Sequence, residues 1–331
     1  MDTMRRRGRG IPSGSWWLIG MLALAGVGLP GAVARADQGG VSFWLPGQYA
    51  SFAAVAPDPG WSMPVTSYTY AGSAAVGHSL PRGNLATYGL NSSLYQVFLA
   101  PTYTLDTTIL GARPSFSVTV APGYSASSAA LRLGPLAESR SDSVFGLGNL
   151  NPTASLFWTA DEHNFMLYLT GVIVNGDYNP NRLSNLGIGH PAIDGGGAYT
   201  YYNEKSGTEL SATLGFTGNF QNTSDHYTNG IDSHLDLGAA KFLTDKFFIG
   251  VVGYYYQQLT ADHGQPALLG SFESRVRAAG PQIGYNFDLG DGATLSTNLR
   301  GYAEFAAHDR TQGYAIYATA SVPLSALFKA H

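Results

Sequence analysis

Residues 295–305 alternate without interruption: Ser296, Asn298, Arg300, Tyr302 and Glu304 share one parity, and Leu295, Thr297, Leu299, Gly301, Ala303 and Phe305 share the other. A two-residue period places these sets on opposite faces of a strand, one polar and one apolar. Stretches of the same kind recur near 65–75, 93–104, 107–120, 152–160, 165–174, 193–203, 208–220, 231–242, 246–259, 273–287, 293–305 and 312–324. They predict twelve strands. Ten and fourteen are the neighbouring counts, because the first, second and sixth strands are weakly patterned. Connections after even strands are brief, as in Asp161-Glu162-His163-Asn164 or Gly290-Asp291-Gly292, whereas 76–92, 121–151, 175–192, 221–230 and 260–272, after odd strands, are longer. This predicts an all-β fold, a transmembrane antiparallel up-and-down β-barrel, with tight periplasmic turns, long outer loops and both termini in the periplasm.

The faces follow from the cost of charge in lipid. Arg300 facing hydrocarbon would cost about 2–4 kcal/mol near the midplane, so Arg300 and Glu304 are assigned to the lumen. The same reasoning turns Arg113, Ser115, Ser117 and Thr119 inward, opposite Phe116 and Val118, and turns Asp232, His234 and Asp236 inward, opposite Ile231, Leu235 and Leu237. In the tenth strand, Ile283, Tyr285 and Phe287 read as lipid-facing, and strict alternation would then turn Arg275 and Arg277 outward. A bulge at Gly280-Pro281, where both residue types are tolerated, is expected to restore them to the lumen or outer rim. Gln257 and Gln282 are placed with this lumenal set. Asp232, His234 and Asp236 of the eighth strand, Gln257, Gln258 and Asp262 of the ninth, and Arg275 and Arg277 of the tenth would thus bring opposite charges together on one wall near the outer mouth, as a selectivity or substrate-binding constriction or as a salt-bridge network bracing a narrow lumen.

Before the strands lies 37–64, dense in proline (Pro46, Pro57, Pro59, Pro64) and therefore not a central strand. Its Phe43, Trp44, Tyr49, Phe52, Val55 and Trp61 predict packing in or against the barrel, as a plug or a periplasmic segment. The first 36 residues read as an export leader: Arg5, Arg6, Arg7 and Arg9, an apolar run from Trp16 to Leu29, and Ala34-Arg35-Ala36 before Asp37. The expected organisation is therefore leader 1–36, N-terminal segment 37–64 and outer-membrane barrel 65–331.

Composition narrows the function. Charged residues are only 12% and aromatic residues also 12% of the chain, with 20 Tyr and no Cys; a soluble domain carries about 25% charge, and the absent thiols exclude disulfides and cysteine chemistry. Without residues 1–36 the chain has 13 basic and 21 acidic residues, a net charge of −8, which argues against nucleic acid as a partner.

The residues also resemble a known family. Gly146-Leu-Gly-Asn-Leu-Asn-Pro152 followed by Leu156-Phe-Trp158, Asn175-Gly-Asp-Tyr178 with Asn185-Leu-Gly187, Glu209-Leu-Ser211, Asn222-Thr with Tyr227 and Gly230, His234 with Asp236, Gly253-Tyr-Tyr-Tyr-Gln257, Asp262, Gly280-Pro-Gln282 and the opening Leu45-Pro-Gly-Gln-Tyr49 are similar to the bacterial meta-pathway phenol-degradation family of outer-membrane barrels. Asn149 departs from the acidic residue expected there. The resemblance implies a barrel associated with catabolism of aromatic or other hydrophobic compounds through their uptake.

Three functions compete. A twelve-stranded lumen lies between the filled eight-stranded barrel and the open porin of about 16–18 strands, which suits selective passage of small hydrophobic or aromatic solutes. A lipid-modifying enzyme would need a nucleophile beside a base, but Ser233 and His234 are sequence neighbours on a strand and point to opposite faces, and no nucleophile-elbow Gly-x-Ser-x-Gly occurs. A structural barrel would act through outer loops such as 121–151. A metal at Asp232, His234 and Asp236 is less favoured than a charge network, and neither cofactor nor catalytic residue is assigned. Expected partners are the bilayer, lipopolysaccharide, small solutes and the barrel-assembly machinery.

Overall fold

The structure, a computed structural model, describes residues 42–79, 85–133, 136–264, 273–290 and 292–324. The expected leader and the chain end around Phe328 lie outside the described residues. Twelve antiparallel strands close on themselves. They are β1 (Gly60–Ser79), β2 (Leu85–Leu99 resuming at Thr102–Thr104), β3 (Arg113–Thr119 resuming at Pro122–Leu133) and β4 (Leu136–Leu147 resuming at Asn151–Ala160), then β5 (His163–Gly171), β6 (Ala192–Asn203), β7 (Thr208–Asn219), β8 (Asp232–Phe242), β9 (Phe247–Gln258), β10 (Arg275–Gly290), β11 (Ala293–His308) and β12 (Gln312–Pro323). Each pairs with the next, and β12 pairs back onto β1 from Ser62↔Pro323 to Ser73↔Gln312. Closure leaves no open edge toward lipid, as a membrane span requires.

The interruption in β2 contains Pro101 and the one in β3 ends at Pro122, and neither residue can donate to a ladder. Beyond them β1–β4 run on as long hairpins. Residues 76–92 and 121–151, expected as loops, are therefore mostly strand: β1 reaches Ser79, β2 starts at Leu85, and Pro122–Leu133 pairs with Leu136–Leu147 throughout. Their Ser/Ala/Gly composition is that of strands with no lipid to face. The upper part of β4 pairs on one side only, and its other edge is covered by 172–191. There Asp177 N donates to Leu147 O (2.8 Å) and Leu183 N to Asp142 Oδ2 (3.0 Å). Asn149 is also a fixture of this seam: its Nδ2 donates to Ile173 O (3.1 Å) and its Oδ1 accepts from Ile188 N (3.0 Å).

Alternation is strict where lipid imposes it. β5 alternates exposed and buried along its length, and in β7 Leu210, Leu214 and Phe216 face out while Ser211, Thr213 and Thr217 are buried inside. The expected bulge at Gly280-Pro281 is absent on the β9 side, because the β9–β10 register runs unbroken from Phe247↔Tyr285 to Gln257↔Arg275. Arg275 and Arg277 consequently stand outward and exposed, in parity with Ile283, Tyr285 and Phe287. Near a membrane boundary an outward Arg or Lys costs only about 0–1 kcal/mol, and the Arg277 guanidinium lies 5.3 Å over the Tyr255 ring, so no repair of parity is needed.

Candidate functional site

The interior of the barrel is occupied by the segment before β1. Trp44, Leu45, Ala50 and Ala54 are buried, and the segment turns at Leu45–Gln48, where Gln48 N donates to Leu45 O (3.1 Å) and Gly47 adopts φ +82°. Its backbone polar groups have no ladder to join, so strand side chains satisfy them. Asp236 of β8 accepts from Gly47 N (2.9 Å) and Tyr49 N (3.1 Å). Arg300 of β11 donates to Gly47 O (3.3 Å) and Gln48 O (2.9 Å), and Tyr317 of β12 donates to Pro46 O (2.9 Å). Further along, Glu209 and Ser211 of β7 accept from Phe52 N, Thr200 of β6 accepts from Ala54 N (3.1 Å), and Gln282 of β10 donates to Ser51 Oγ (2.6 Å). Arg113 of β3 reaches Pro57 O at 3.4 Å. Strands from most of the circumference thus hold one segment.

Beside the turn sits a buried polar centre. His234 Nε2 is 3.1 Å from Asp194 Oδ2 and 3.3 Å from Tyr168 OH; Tyr168 OH donates to Asp194 Oδ1 (2.8 Å) and Thr217 Oγ1 to Asp194 Oδ2 (2.6 Å). The Trp44 indole stacks on the His234 ring at 3.7 Å between centroids and 13° between planes. Gly215 makes room for this centre: a Cβ there would lie 2.1 Å from Tyr168 OH and 2.5 Å from His234 Nε2.

On the opposite wall, Tyr68 and Tyr70 of β1, Tyr254 and Tyr256 of β9, Tyr302 of β11 and Tyr317 of β12 are buried inside. Glu304 organises them, accepting from Tyr70 OH (3.0 Å), Tyr254 OH (2.8 Å) and Gly313 N (2.7 Å). The Arg310 guanidinium lies 4.9 Å over the Tyr256 ring.

Of the residues expected to line the lumen, Asp232, His234, Asp236, Gln282, Arg300 and Glu304 face inward and are buried, and Arg113 is partly buried. They do not form the expected ion-pair wall. The carboxylate of Asp236 and the guanidinium of Arg300 bind the inserted segment, while Asp232 accepts from Asn219 Nδ2 (2.8 Å). Gln257 is corrected to the outward face, where it hydrogen-bonds Tyr255, and Gln258 is its inward neighbour, donating to Asp262 Oδ1 (2.6 Å). Arg275 and Arg277 are likewise outside the lumen.

Asp194 and Tyr168 were not legible as members of the centre, nor Glu209 as a residue that holds the inserted segment. Asp194 precedes Gly195-Gly196-Gly197, which carry no side chains to reveal parity. The centre does not have the arrangement of a nucleophile–base–acid chain: Asp194 and Tyr168 compete for the same imidazole nitrogen, whereas a triad places acid and hydroxyl on opposite nitrogens. Ser233 faces away, donating to Gln257 O (3.0 Å). Among the described residues no cluster of three His, Asp or Glu is placed to hold a metal ion.

A closed barrel with an apolar outer band and a lumen filled by polar side chains and its own N-terminal segment is an outer-membrane β-barrel. The chain belongs to the family described as "Putative MetA-pathway of phenol degradation", whose pattern matches residues 81–320. Among solved structures, the COG4313 outer membrane channel from Pseudomonas putida F1 has a similar fold, with 13% identity over 84% of this chain and 99% of that one and a TM-score of 0.51. A FadL homologue from Pseudomonas aeruginosa is less similar, at 11% identity over 88% of this chain and 97% of that one and a TM-score of 0.47. No curated protein matches the sequence.

Proposed function

We propose that this protein is an outer-membrane channel for uptake of small hydrophobic or aromatic organic compounds, linked to their catabolism, and that residues 44–54 are its plug. The observation that carries the reading is the way the lumen is filled. The plug is held by side chain-to-backbone hydrogen bonds from separate strands rather than by a continuous β ladder, so it can leave as a unit without unpairing the barrel. What it would uncover includes the six inward tyrosines around Glu304, whose ring faces and hydroxyls suit an aromatic solute with one polar substituent. Family membership supports the link to phenol degradation. In this reading residues 1–36 are the export leader, the short turns and both termini are periplasmic, and the long hairpins of β1–β4 face the exterior.

The test is single-channel conductance of the purified protein in a planar bilayer, with and without phenol or benzoate. Discrete openings that increase on deletion of residues 42–59 and are reversibly blocked by the aromatic compound are expected. A barrel that stays silent after the deletion would refute the channel.

A further inference from the structure

Two arginines reach the tyrosine cluster inside the barrel, and only one of them is fully engaged. Arg300 lies 4.6 Å over the Tyr317 ring and donates to Gly47 O, Gln48 O and Asn298 Oδ1. Arg310 comes from the connection between β11 and β12, residues 309–311, which folds inward: Thr311 Oγ1 is 2.8 Å from Tyr70 OH, and the Arg310 guanidinium lies 4.9 Å over the Tyr256 ring. Its Nε and Nη1 are buried and have no hydrogen-bond acceptor, although the residue as a whole is only half-buried. Buried polar groups are paired almost without exception, and a guanidinium carries five donors and no acceptor, so these idle donors call for an explanation.

The neighbouring carboxylate does not meet the demand. Glu304 acts on the guanidinium through space, but its oxygens accept from Tyr70 OH, Tyr254 OH and Gly313 N, and among the described residues no ion pair joins it to Arg310. The contact with Tyr256 draws on the charge of the guanidinium and supplies no acceptor for its N–H groups. What the site lacks is therefore an acceptor, and a carboxylate is the one whose planar geometry matches the guanidinium donors. A monoanion is favoured over a dianion such as a phosphate monoester, because Glu304 repels either and repels the dianion more strongly. The rest of the surroundings are the rings of Tyr70, Tyr254 and Tyr256, which suit an aromatic group behind the carboxylate.

We propose that Arg310 is the specificity-determining residue of the lumenal site and binds the carboxylate of a small aromatic acid whose ring lies against the inward tyrosines. The inference rests on the reading of the lumen as a route for aromatic solutes, and it narrows that reading to solutes that carry one carboxylate. The half-buried state of Arg310 fits the role: the side chain is reachable from the end of the barrel at which 309–311 lies, while its buried nitrogens are withheld from bulk water.

The test measures binding of benzoate and of benzamide, its neutral isostere, to the purified full chain in detergent by isothermal titration calorimetry, for the wild type, Arg310→Gln and Arg310→Lys. Arg310 lies outside the strand ladder, so the variant barrels are expected to stay closed, with retention of the folded electrophoretic form as the check. The wild type is expected to bind benzoate about tenfold more tightly than benzamide, the equivalent of one charge-assisted hydrogen bond. Arg310→Gln should bring the two affinities together, and Arg310→Lys should keep part of the difference because the charge survives without the planar fork. Equal wild-type affinities, no binding of benzoate, or a preference that survives Arg310→Gln would overturn the assignment. Conductance separates the two premises. Openings blocked by phenol, without an Arg310-dependent preference for benzoate, mean that the site fails and the channel stands; Arg310-dependent benzoate binding to a barrel that stays silent after deletion of residues 42–59 means that the channel fails and the site stands.

Discussion

Asp236 and Arg300 grip opposite poles of a single turn: the carboxylate accepts the amides of Gly47 and Tyr49, and the guanidinium donates to the carbonyls of Gly47 and Gln48. Two residues from non-adjacent strands thereby neutralise each other through the backbone they hold, and among the described residues no direct ion pair joins them. Charge that looks like a selectivity filter in the sequence is engaged in holding the inserted segment.

Asp236→Ala removes the acceptor for both amides. Hydrogen bonds to a charged group are each worth about 1.5–3 kcal/mol, so the turn should lose most of its anchorage while the barrel, whose ladder does not involve this side chain, stays closed. Expected are more frequent conductance openings and protease access to the Leu45–Tyr49 region, with Asp236→Asn intermediate because one carbonyl acceptor survives. Conductance and proteolysis indistinguishable from wild type would show that the turn is held elsewhere.

Gly47→Ala tests the same turn from the other side. At φ +82° an L residue is disfavoured by about 1–2 kcal/mol, and the added Cβ would lie 2.8 Å from Tyr302 Cζ and 2.9 Å from its Cε2. The substitution should displace the turn and reproduce the Asp236→Ala conductance with both grips intact. Wild-type behaviour would mean that the turn has room the structure does not show.

The outward placement of Arg277 is open to a chemical test because the chain has no cysteine. Arg277→Cys should react readily with a water-soluble maleimide and Ile283→Cys only with a membrane-partitioning one, whereas Arg300→Cys should stay protected while the segment before β1 fills the lumen. Protection of Arg277→Cys equal to that of Arg300→Cys would return Arg277 to the lumen.

Legibility in the sequence followed the energetic stakes. Arg300 announced its face because lipid would penalise the alternative by several kcal/mol, and every neighbour in β11 agreed. Arg277 did not, because near the interface the penalty shrinks toward zero and charge stops reporting direction. Asp194 was hidden by the three glycines that follow it. The long hairpins of β1–β4 were hidden by composition, since strands standing clear of lipid need no apolar face and read as loop. The aromatic content of the segment before β1 predicted that it packs against the barrel; its partners, drawn from strands far apart in the chain, could not be read from one sequence.

The covering segment 172–191 is expected to respond to pH through His190. Burial holds the His190 imidazole below its ordinary value of 6.5, against smaller opposing effects of the Pro191 carbonyl and the Asp225 charge. The ring is accordingly neutral, with Nδ1 donating to Pro191 O (2.9 Å) and Nε2 turned to Asn229 Nδ2 (3.4 Å). A group whose pKa is depressed by folding binds protons more weakly folded than unfolded, so its contribution is complete above the unfolded value and is lost as pH falls through the window between 6.5 and the lower folded value. Protonation would also set an Nε2–H against the Asn229 amide hydrogens. Hydrogen exchange of the 172–191 amides should therefore accelerate, after correction for intrinsic rates, as pH is lowered from 7 to about 5, and His190→Gln should flatten that dependence while leaving exchange in β7 and β8 unchanged. An equal acceleration in the variant would assign the sensitivity to another group, with Asp225, which also faces this cluster, next in line.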